Sequence, residues 1–127
     1  MIFADTSYLI AIVRPSDENH CRAAEISQGL AERVIITDNV FSEFVTFLAY
    51  KDGNSAAHLH AKKVLESEIL LVCALNEDMP SALELIKKYP KLSMCDALSF
   101  IVMKKLGIKN ILSFDSDFDG LGCERIF

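Results

Sequence analysis

The sequence lacks any apolar run long enough to cross a bilayer, since a transmembrane helix needs about 20 such residues. The longest run, 69–75, has only the length of a strand. Asp5 interrupts the apolar N-terminus and no basic segment precedes it, so we expect no secretory signal. The four cysteines are scattered without a CxxC pair, which argues against a zinc site or a disulfide frame and predicts reduced thiols in a cytoplasmic protein.

The chain also lacks repeats, low-complexity tracts, long linkers and an excess of basic residues. Its net charge of −5 argues against a protein that coats nucleic acid through a basic face. A nuclease is still compatible with this charge, because a carboxylate cluster neutralised by metal would account for part of the excess. A length of 127 residues, of which 51% are hydrophobic, predicts one domain over residues 1–127 with a substantial core.

Hydrophobic patterning predicts strands that alternate with helices. The expected strands are 1–4, 33–37, a buried strand 69–75, 109–113 and an edge strand 125–127. The expected helices are 17–32 with Ser16 as N-cap, 38–50, 55–67, 78–88 and 93–106, followed later by an acidic turn over 114–122. Strands separated by helices require crossover connections, so the fold class is α/β with a mainly parallel sheet.

Acidic residues follow two of these strands. Asp5 ends the first strand, and Asp115 and Asp117 follow the strand 109–113. Sites in parallel sheets form beyond the carboxyl ends of the strands, so the two groups should meet at one edge. Asp96 lies in the first turn of the helix 93–106, and Glu43 lies beside the apolar arc of the helix 38–50. The pattern predicts a carboxylate cluster drawn from four segments.

Each carboxylate also has an ordinary structural explanation. Asp96 lies three residues after Ser93, as in a capping box, and Asp5 could cap a helix or form a turn. Glu43 could be a solvated helix residue, and the acidic residues before Gly120 could be turn residues.

Shielding from water favours a shared site over these explanations. The helix 93–106 is apolar nearly all round, so Asp96 is expected to be buried, and no Lys or Arg adjoins Asp5, Glu43 or Asp96 in the sequence. Several carboxylates in one pocket repel each other. A divalent cation is the simplest partner, and Mg²⁺ or Mn²⁺ suits ligands that are all oxygen.

The ordered set of motifs resembles the PIN-domain family, and within it the VapC-type toxins. Asp5-Thr6-Ser7 matches the family's Asp-Thr/Ser after the first strand, and Glu43 matches a Glu on the second core helix. Asp96 matches an acidic residue that begins a late helix, and residues 113–118 match Thr/Ser-x-Asp-x-Asp-Phe. The likeness covers essentially the whole chain, and Ser113 departs from the commoner Thr while keeping the hydroxyl.

This resemblance implies a three-layer α/β/α sandwich with a mainly parallel central sheet. It also implies Mg²⁺- or Mn²⁺-dependent RNA cleavage, often by a homodimer, and in VapC-type members an antitoxin protein that blocks the site. The alternatives are a non-toxin PIN protein in RNA processing and a non-catalytic PIN-like module that binds RNA or protein. A phosphoaspartate enzyme is disfavoured, because haloacid-type phosphatases place a second Asp where this chain has Ser7.

The expected chemistry is phosphodiester hydrolysis. Asp5 and Asp96 would hold the main metal, with Asp115 binding it directly or through water. Glu43 would orient or deprotonate the attacking water. Asp117 would be a spare or supporting ligand, fixed at the rim by the anchoring of Phe118 in the core, and able to cap the turn at 119–120. Hydrogen-bond donation to ligands or phosphate is expected from Thr6 or Ser113, and contacts to the RNA backbone from Arg14, His20, Arg22, Lys104 and Lys105.

Overall fold

A computed structural model describes residues 1–127, the whole of the chain. Its centre is a five-stranded sheet in the order β3-β2-β1-β4-β5, and every neighbouring pair is parallel. The strands are β1 (Ile2–Ala4), β2 (Val34–Thr37), β3 (Leu70–Val72), β4 (Asn110–Leu112) and β5 (Glu124–Ile126). The predicted parallel sheet is confirmed, with β5 at one edge as expected.

Six helices complete a three-layer α/β/α sandwich, which confirms the expected fold class. They are α1 (Thr6–Val13), α2 (His20–Gly29), α3 (Asp38–Asp52), α4 (Asn54–Glu66), α5 (Met79–Lys88) and α6 (Met94–Leu106). Two short 3₁₀ turns lie at Asn76–Asp78 and Ser116–Phe118. No helix is both long and apolar enough to cross a membrane.

The core surrounds the central strands. Phe3 on β1, Phe44 on α3 and Phe118 after β4 are completely buried, so the expected anchoring of Phe118 is confirmed. Gly53 and Gly107 end α3 and α6 with positive φ angles of 89° and 70°, which a side chain would disfavour. These helix ends agree with the sequence patterns, which placed a break after 38–50 and a stop at Gly107.

Two predicted elements are present but shorter than predicted. The strand predicted as buried over 69–75 is shortened to β3 at the other edge of the sheet, where Leu71 is 36% exposed. A short apolar run does not distinguish an edge strand from a central one. The helix predicted over 17–32 starts only at His20, after Asn19, and Ser16 does not cap it.

A further helix, α1, was not predicted. The eight residues of α1 are apolar on most sides, with Tyr8, Leu9, Ile10 and Ala11 all buried, so they show no amphipathic period. Its N-cap is Asp5, whose side chain accepts a hydrogen bond from the Ser7 amide at 3.3 Å. Asp5 therefore does have the capping role that its ordinary explanation proposed.

Candidate active site

The carboxyl ends of β1 and β4 are adjacent, and they bring the acidic segments together. The Asp5 amide donates a hydrogen bond to the Leu112 carbonyl at 3.0 Å, which fixes the start of α1 beside the loop after β4. A pocket of about 370 Å³ opens there. It is lined by Asp5, Thr6, Ser7, Ile10, Glu43, Phe47, Lys91, Ser93, Asp96, Asp115 and Asp117.

Asp5 is almost completely buried, with 3% of its surface exposed. Its Oδ2 accepts hydrogen bonds from the Ser7 hydroxyl at 2.7 Å and the Ser113 hydroxyl at 3.0 Å, besides the Ser7 amide. Burial raises the pKa of Asp5, and the hydrogen bonds from the two serines offset part of that rise. Three donors on Oδ2 leave Oδ1 as the oxygen that a further ligand can use.

Two serine hydroxyls connect Asp5 to the loop after β4. The Ser7 hydroxyl accepts from the Phe114 amide at 3.0 Å, and the Ser113 hydroxyl accepts from the Asp115 amide at 3.0 Å. Each serine thus donates to Asp5 and orders one loop amide. Ser113 was expected to donate to a metal ligand or to phosphate, and its hydroxyl does donate to Asp5, one of the predicted ligands. The contribution of Ser7 was not predicted, because its loop partner is 107 residues away in sequence.

Thr6 lies between these groups with its hydroxyl unused. Thr6 Oγ1 is buried and has no hydrogen-bond partner in the protein. A buried hydroxyl without a partner costs free energy, so such groups are rare in folded proteins. Thr6 is also one of the residues that line the acidic pocket.

Asp96 is the second buried carboxylate that lines the pocket. It lies in the first turn of α6, where its amide donates to the Ser93 hydroxyl at 3.1 Å, so Ser93 caps the helix as its spacing suggested. The side chain is only 6% exposed and forms no ion pair with a Lys or Arg. Burial, and then the negative charge of Asp5, raise the pKa of Asp96 to about 7.

The carboxylates of Asp96, Asp115 and Asp117 converge most closely. One oxygen from each lies within 4.8 Å of the others. Burial, and then the charge of Asp115, raise the pKa of Asp117. Asp117 was expected to cap the turn at 119–120, and its side chain forms no such bond. Asp115 instead caps the preceding turn, Ser116–Phe118, since its Oδ1 accepts from the Asp117 amide at 2.8 Å. Asp5 lies outside this close trio and lines the same pocket.

Glu43 lies on α3 at the outer rim of the pocket. It was expected to point into a cleft beside the core, and it does line the pocket, although the residue is exposed. It also lies close to Cys95, whose thiol pKa is raised first by burial and then by the charge of Glu43. Glu43 is therefore the acidic residue of the pocket with the freest access to water.

The one cationic residue that lines the acidic pocket was not predicted. Lys91 lines the pocket, and its charge lowers the pKa of Asp117 against the stronger effects that raise it.

None of the five residues predicted to contact the RNA backbone lines this pocket. Arg14, Arg22 and Lys105 form ion pairs with Asp52, Glu25 and Asp78, respectively, each at 2.8 Å, His20 lies against the Ala11 carbonyl at 2.7 Å, and Lys104 lines a separate groove.

These groups fit a divalent cation. The donor set is entirely oxygen, which is the preference of Mg²⁺ and Mn²⁺. Three carboxylates within 4.8 Å repel one another when ionised, and a bound cation would offset both the burial and the repulsion that raise the pKa of Asp96 and Asp117. The arrangement can therefore bind a metal ion and leave water and the Thr6 hydroxyl beside it.

Comparison with known proteins gives consistent matches. The sequence profile of the PIN domain matches residues 2–122. The 23S rRNA-specific endonuclease VapC20 of Mycobacterium tuberculosis is 32% identical over 125 residues, which cover 96% of this chain and 95% of that protein. The crystal structure of VapC20, described as a sarcin-ricin loop cleaving toxin, superimposes with a TM-score of 0.89 at 29% identity, covering 97% of this chain and 96% of that one.

A more distant solved structure shares the fold alone. A toxin-antitoxin complex from Klebsiella pneumoniae contains a chain with a TM-score of 0.71 at 14% identity, covering 100% of this chain and 97% of that one.

Proposed function

The chain belongs to the PIN domain family, and on that basis we propose that it is a divalent-metal-dependent endoribonuclease, the toxin of a toxin-antitoxin pair. The observation that carries the proposal is the pocket in which Asp5, Asp96, Asp115 and Asp117 meet without an ion-pair partner. The resemblance of the chain to a 23S rRNA-specific endonuclease over nearly its full length supports RNA as the substrate.

The acidic residues divide between metal binding and water activation. Asp96 and Asp115, with Asp117 and Oδ1 of Asp5, would hold Mg²⁺ or Mn²⁺, which when bound polarises a phosphoryl oxygen and lowers the pKa of water. Glu43, the exposed carboxylate of the rim, orients the attacking water and accepts its proton. Deprotonation there places the nucleophile on the open side of the pocket.

Hydroxyl groups complete the site. The free Thr6 hydroxyl donates a hydrogen bond to a nonbridging phosphate oxygen, which satisfies its missing contact. Ser7 and Ser113 hold Asp5 and the Asp115 amide in fixed positions, so the two acidic segments keep their spacing as RNA binds. Lys91 offsets the negative charge that an incoming phosphate adds to the pocket.

The substrate we propose is a structured RNA loop, with the sarcin-ricin loop of 23S rRNA as the first candidate. The test is incubation of a hairpin RNA carrying that loop with purified protein and Mg²⁺ or Mn²⁺. Cleavage at one site, lost in excess EDTA and in Asp96→Asn, is the expected result. A hairpin that the wild-type protein binds but leaves intact with both metals would instead favour a non-catalytic RNA-binding module.

Partner proteins belong to the same proposal. Aromatic side chains recur along α3 at Phe41, Phe44, Phe47 and Tyr50. Phe44 is buried, whereas Tyr50 is 83% exposed and Phe47 lies half-buried between the acidic pocket and Tyr50. We propose that this surface is covered in a homodimer or by an antitoxin segment, which would close the pocket entrance. A monomeric mass at high concentration in light scattering, together with no protein partner on purification from its own host, would contradict this assignment.

A further inference from the structure

A groove between α5 and α6 gathers lysines in a chain of net negative charge. It has a volume of about 650 Å³, a partly apolar floor that includes Phe100 and Ile101, and walls that include Lys87, Lys88 and Lys104. We refer to it as the lysine groove. Its one acidic lining residue is Glu84. The groove therefore has a positive local charge, although the net charge of the whole chain is −5.

The lysines of the groove are available to a ligand. Lys87, Lys88 and Lys104 are all exposed, and none of them forms an ion pair with a carboxylate. The neighbouring Lys105 behaves differently, since its ammonium is 2.8 Å from Asp78 and 3.3 Å from Glu77. The fold thus neutralises Lys105 internally and leaves the groove lysines unneutralised.

The acidic pocket and the lysine groove are separate cavities that are both lined by α6 and by the segment from α5 to α6. Asp96, Phe100 and Lys104 are spaced by four residues on α6 and therefore lie along one side of the helix. Asp96 lines the pocket, whereas Phe100 and Lys104 line the groove. Lys104 lies roughly 12 Å from Asp96 along the axis of α6. On the α5 side, Lys88 lines the groove, and Lys91, three residues later in the sequence, lines the acidic pocket.

We propose that the lysine groove binds the RNA strand that flanks the scissile phosphate, with its lysines contacting phosphates and Phe100 packing against a base. This inference rests on the proposed ribonuclease function and adds the path of the substrate. Proteins usually hold single-stranded nucleic acid with cationic side chains along its phosphate backbone and aromatic side chains against its bases. An anionic polymer that reaches an acidic pocket also needs positive charge outside it, and the groove supplies that charge.

The test compares two double variants with the same net charge. Lys87→Gln/Lys104→Gln removes two groove cations, and Lys62→Gln/Lys63→Gln removes two exposed cations from α4. Each changes the net charge from −5 to −7. For cleavage of the sarcin-ricin hairpin, the groove variant should raise KM about tenfold with kcat little changed, and it should reduce the log–log salt slope by about 1.4, the value expected for two phosphate contacts on a single strand. The α4 variant should stay within about twofold of wild type.

Other outcomes overturn the inference in distinguishable ways. Equal losses in both variants would show that only net charge matters, and no loss in either would show that RNA does not use the groove. A lower kcat without a change in KM would indicate a structural effect. Normal cleavage by a groove variant that has lost inhibition by an antitoxin would assign the groove to a protein. If wild-type protein cleaves no hairpin with either metal, the proposed function fails and this inference fails with it.

Discussion

Asp78 and Asp96 occupy similar places and have opposite electrostatic surroundings. Both lie near the starts of neighbouring helices, α5 and α6, and both are buried, at 4% and 6% exposure. Asp78 accepts hydrogen bonds from the Lys105 ammonium and the Leu75 amide, each at 2.8 Å, and the Lys105 bond holds its pKa below the ordinary value. Asp96 has no cation beside it, and burial raises its pKa to about 7. Burial alone therefore does not distinguish a structural carboxylate from a functional one.

The same division extends to other acidic residues. Asp52 and Asp119 are bonded by Arg14 and Arg125 at 2.8 Å, and these arginines lower their pKa values. In the acidic pocket, by contrast, burial raises the pKa of Asp5 and Asp117. The protein thus pairs Asp52, Asp78 and Asp119 with its own cations and leaves the pocket carboxylates without an ion pair, at a cost in stability when they are ionised.

The largest expected effect is the difference in cleavage rate between Asp96→Asn and Asp78→Asn. Asp96→Asn keeps the shape of the side chain and removes a charged oxygen ligand, so single-turnover cleavage should slow about a thousandfold. Asp78→Asn should cleave within about twofold of wild type, because Asp78 does not line the acidic pocket. Comparable losses in the two variants would remove the distinction on which the site assignment rests.

The next effect separates the two acidic residues of the loop after β4. Asp115→Asn should slow cleavage about a hundredfold or more, because the Asp115 amide is tied through Ser113 to Asp5 and its carboxylate lies within the close trio. Asp117→Asn should cost clearly less, as a supporting ligand. Both substitutions are isosteric, and asparagine at 115 can still cap the turn. Single-turnover rates in the reverse order would show that Asp117 is the principal ligand of the pair.

Asp78→Asn and Asp96→Asn should change the free energy of unfolding in opposite directions. Asp78→Asn weakens the ion pair with Lys105, and we expect it to lower the free energy of unfolding. Asp96→Asn should raise that free energy in metal-free protein at pH 8, since it removes an unpaired buried charge. Urea unfolding in EDTA measures both. A loss of stability in Asp96→Asn as large as in Asp78→Asn would mean that Asp96 also has a structural partner.

The smallest effect concerns pH. The native Asp96 keeps a proton up to about pH 7, whereas the unfolded chain releases it near the ordinary aspartate pKa of 3.8, so stability falls as pH rises through that window. Metal-free wild-type protein should therefore melt about 5 °C lower at pH 8 than at pH 5, and Asp96→Asn should show a smaller difference. The lowered pKa of Asp78 acts only below that window, where its stabilisation is lost as pH falls. A wild-type melting temperature that rises from pH 5 to pH 8 in EDTA would contradict this account.

The sequence predicted the parts of the fold that carry a regular pattern. β1, β2, β4, α3 and α6 were located by strand-length apolar runs, helical periodicity and end signals such as Gly107. The exposure of β3 and the existence of α1 were not predicted. Their apolar runs show no regular alternation of apolar and polar residues, so the sequence does not indicate which side of each element is covered.

The site was predictable to the extent that its residues follow strands. Asp5 and Asp115 lie where a parallel sheet must bring them together, and the structure places both in one pocket. The bond of Ser7 to the Phe114 amide and the position of Lys91 depend on tertiary packing, so no local pattern indicated them. The choice between Asp115 and Asp117 stays a prediction, since both contribute to the close trio.

The most direct test of the central claim is the melting temperature measured with and without millimolar Mg²⁺ or Mn²⁺. A cation that binds only the folded carboxylate cluster raises stability by mass action. Wild-type protein and Asp78→Asn should therefore gain the same increase in melting temperature, whereas Asp96→Asn and Asp5→Asn should lose it. Wild-type protein whose melting temperature is unchanged by both ions, or an increase that persists in Asp96→Asn, would contradict the assignment of these unpaired carboxylates as the metal site.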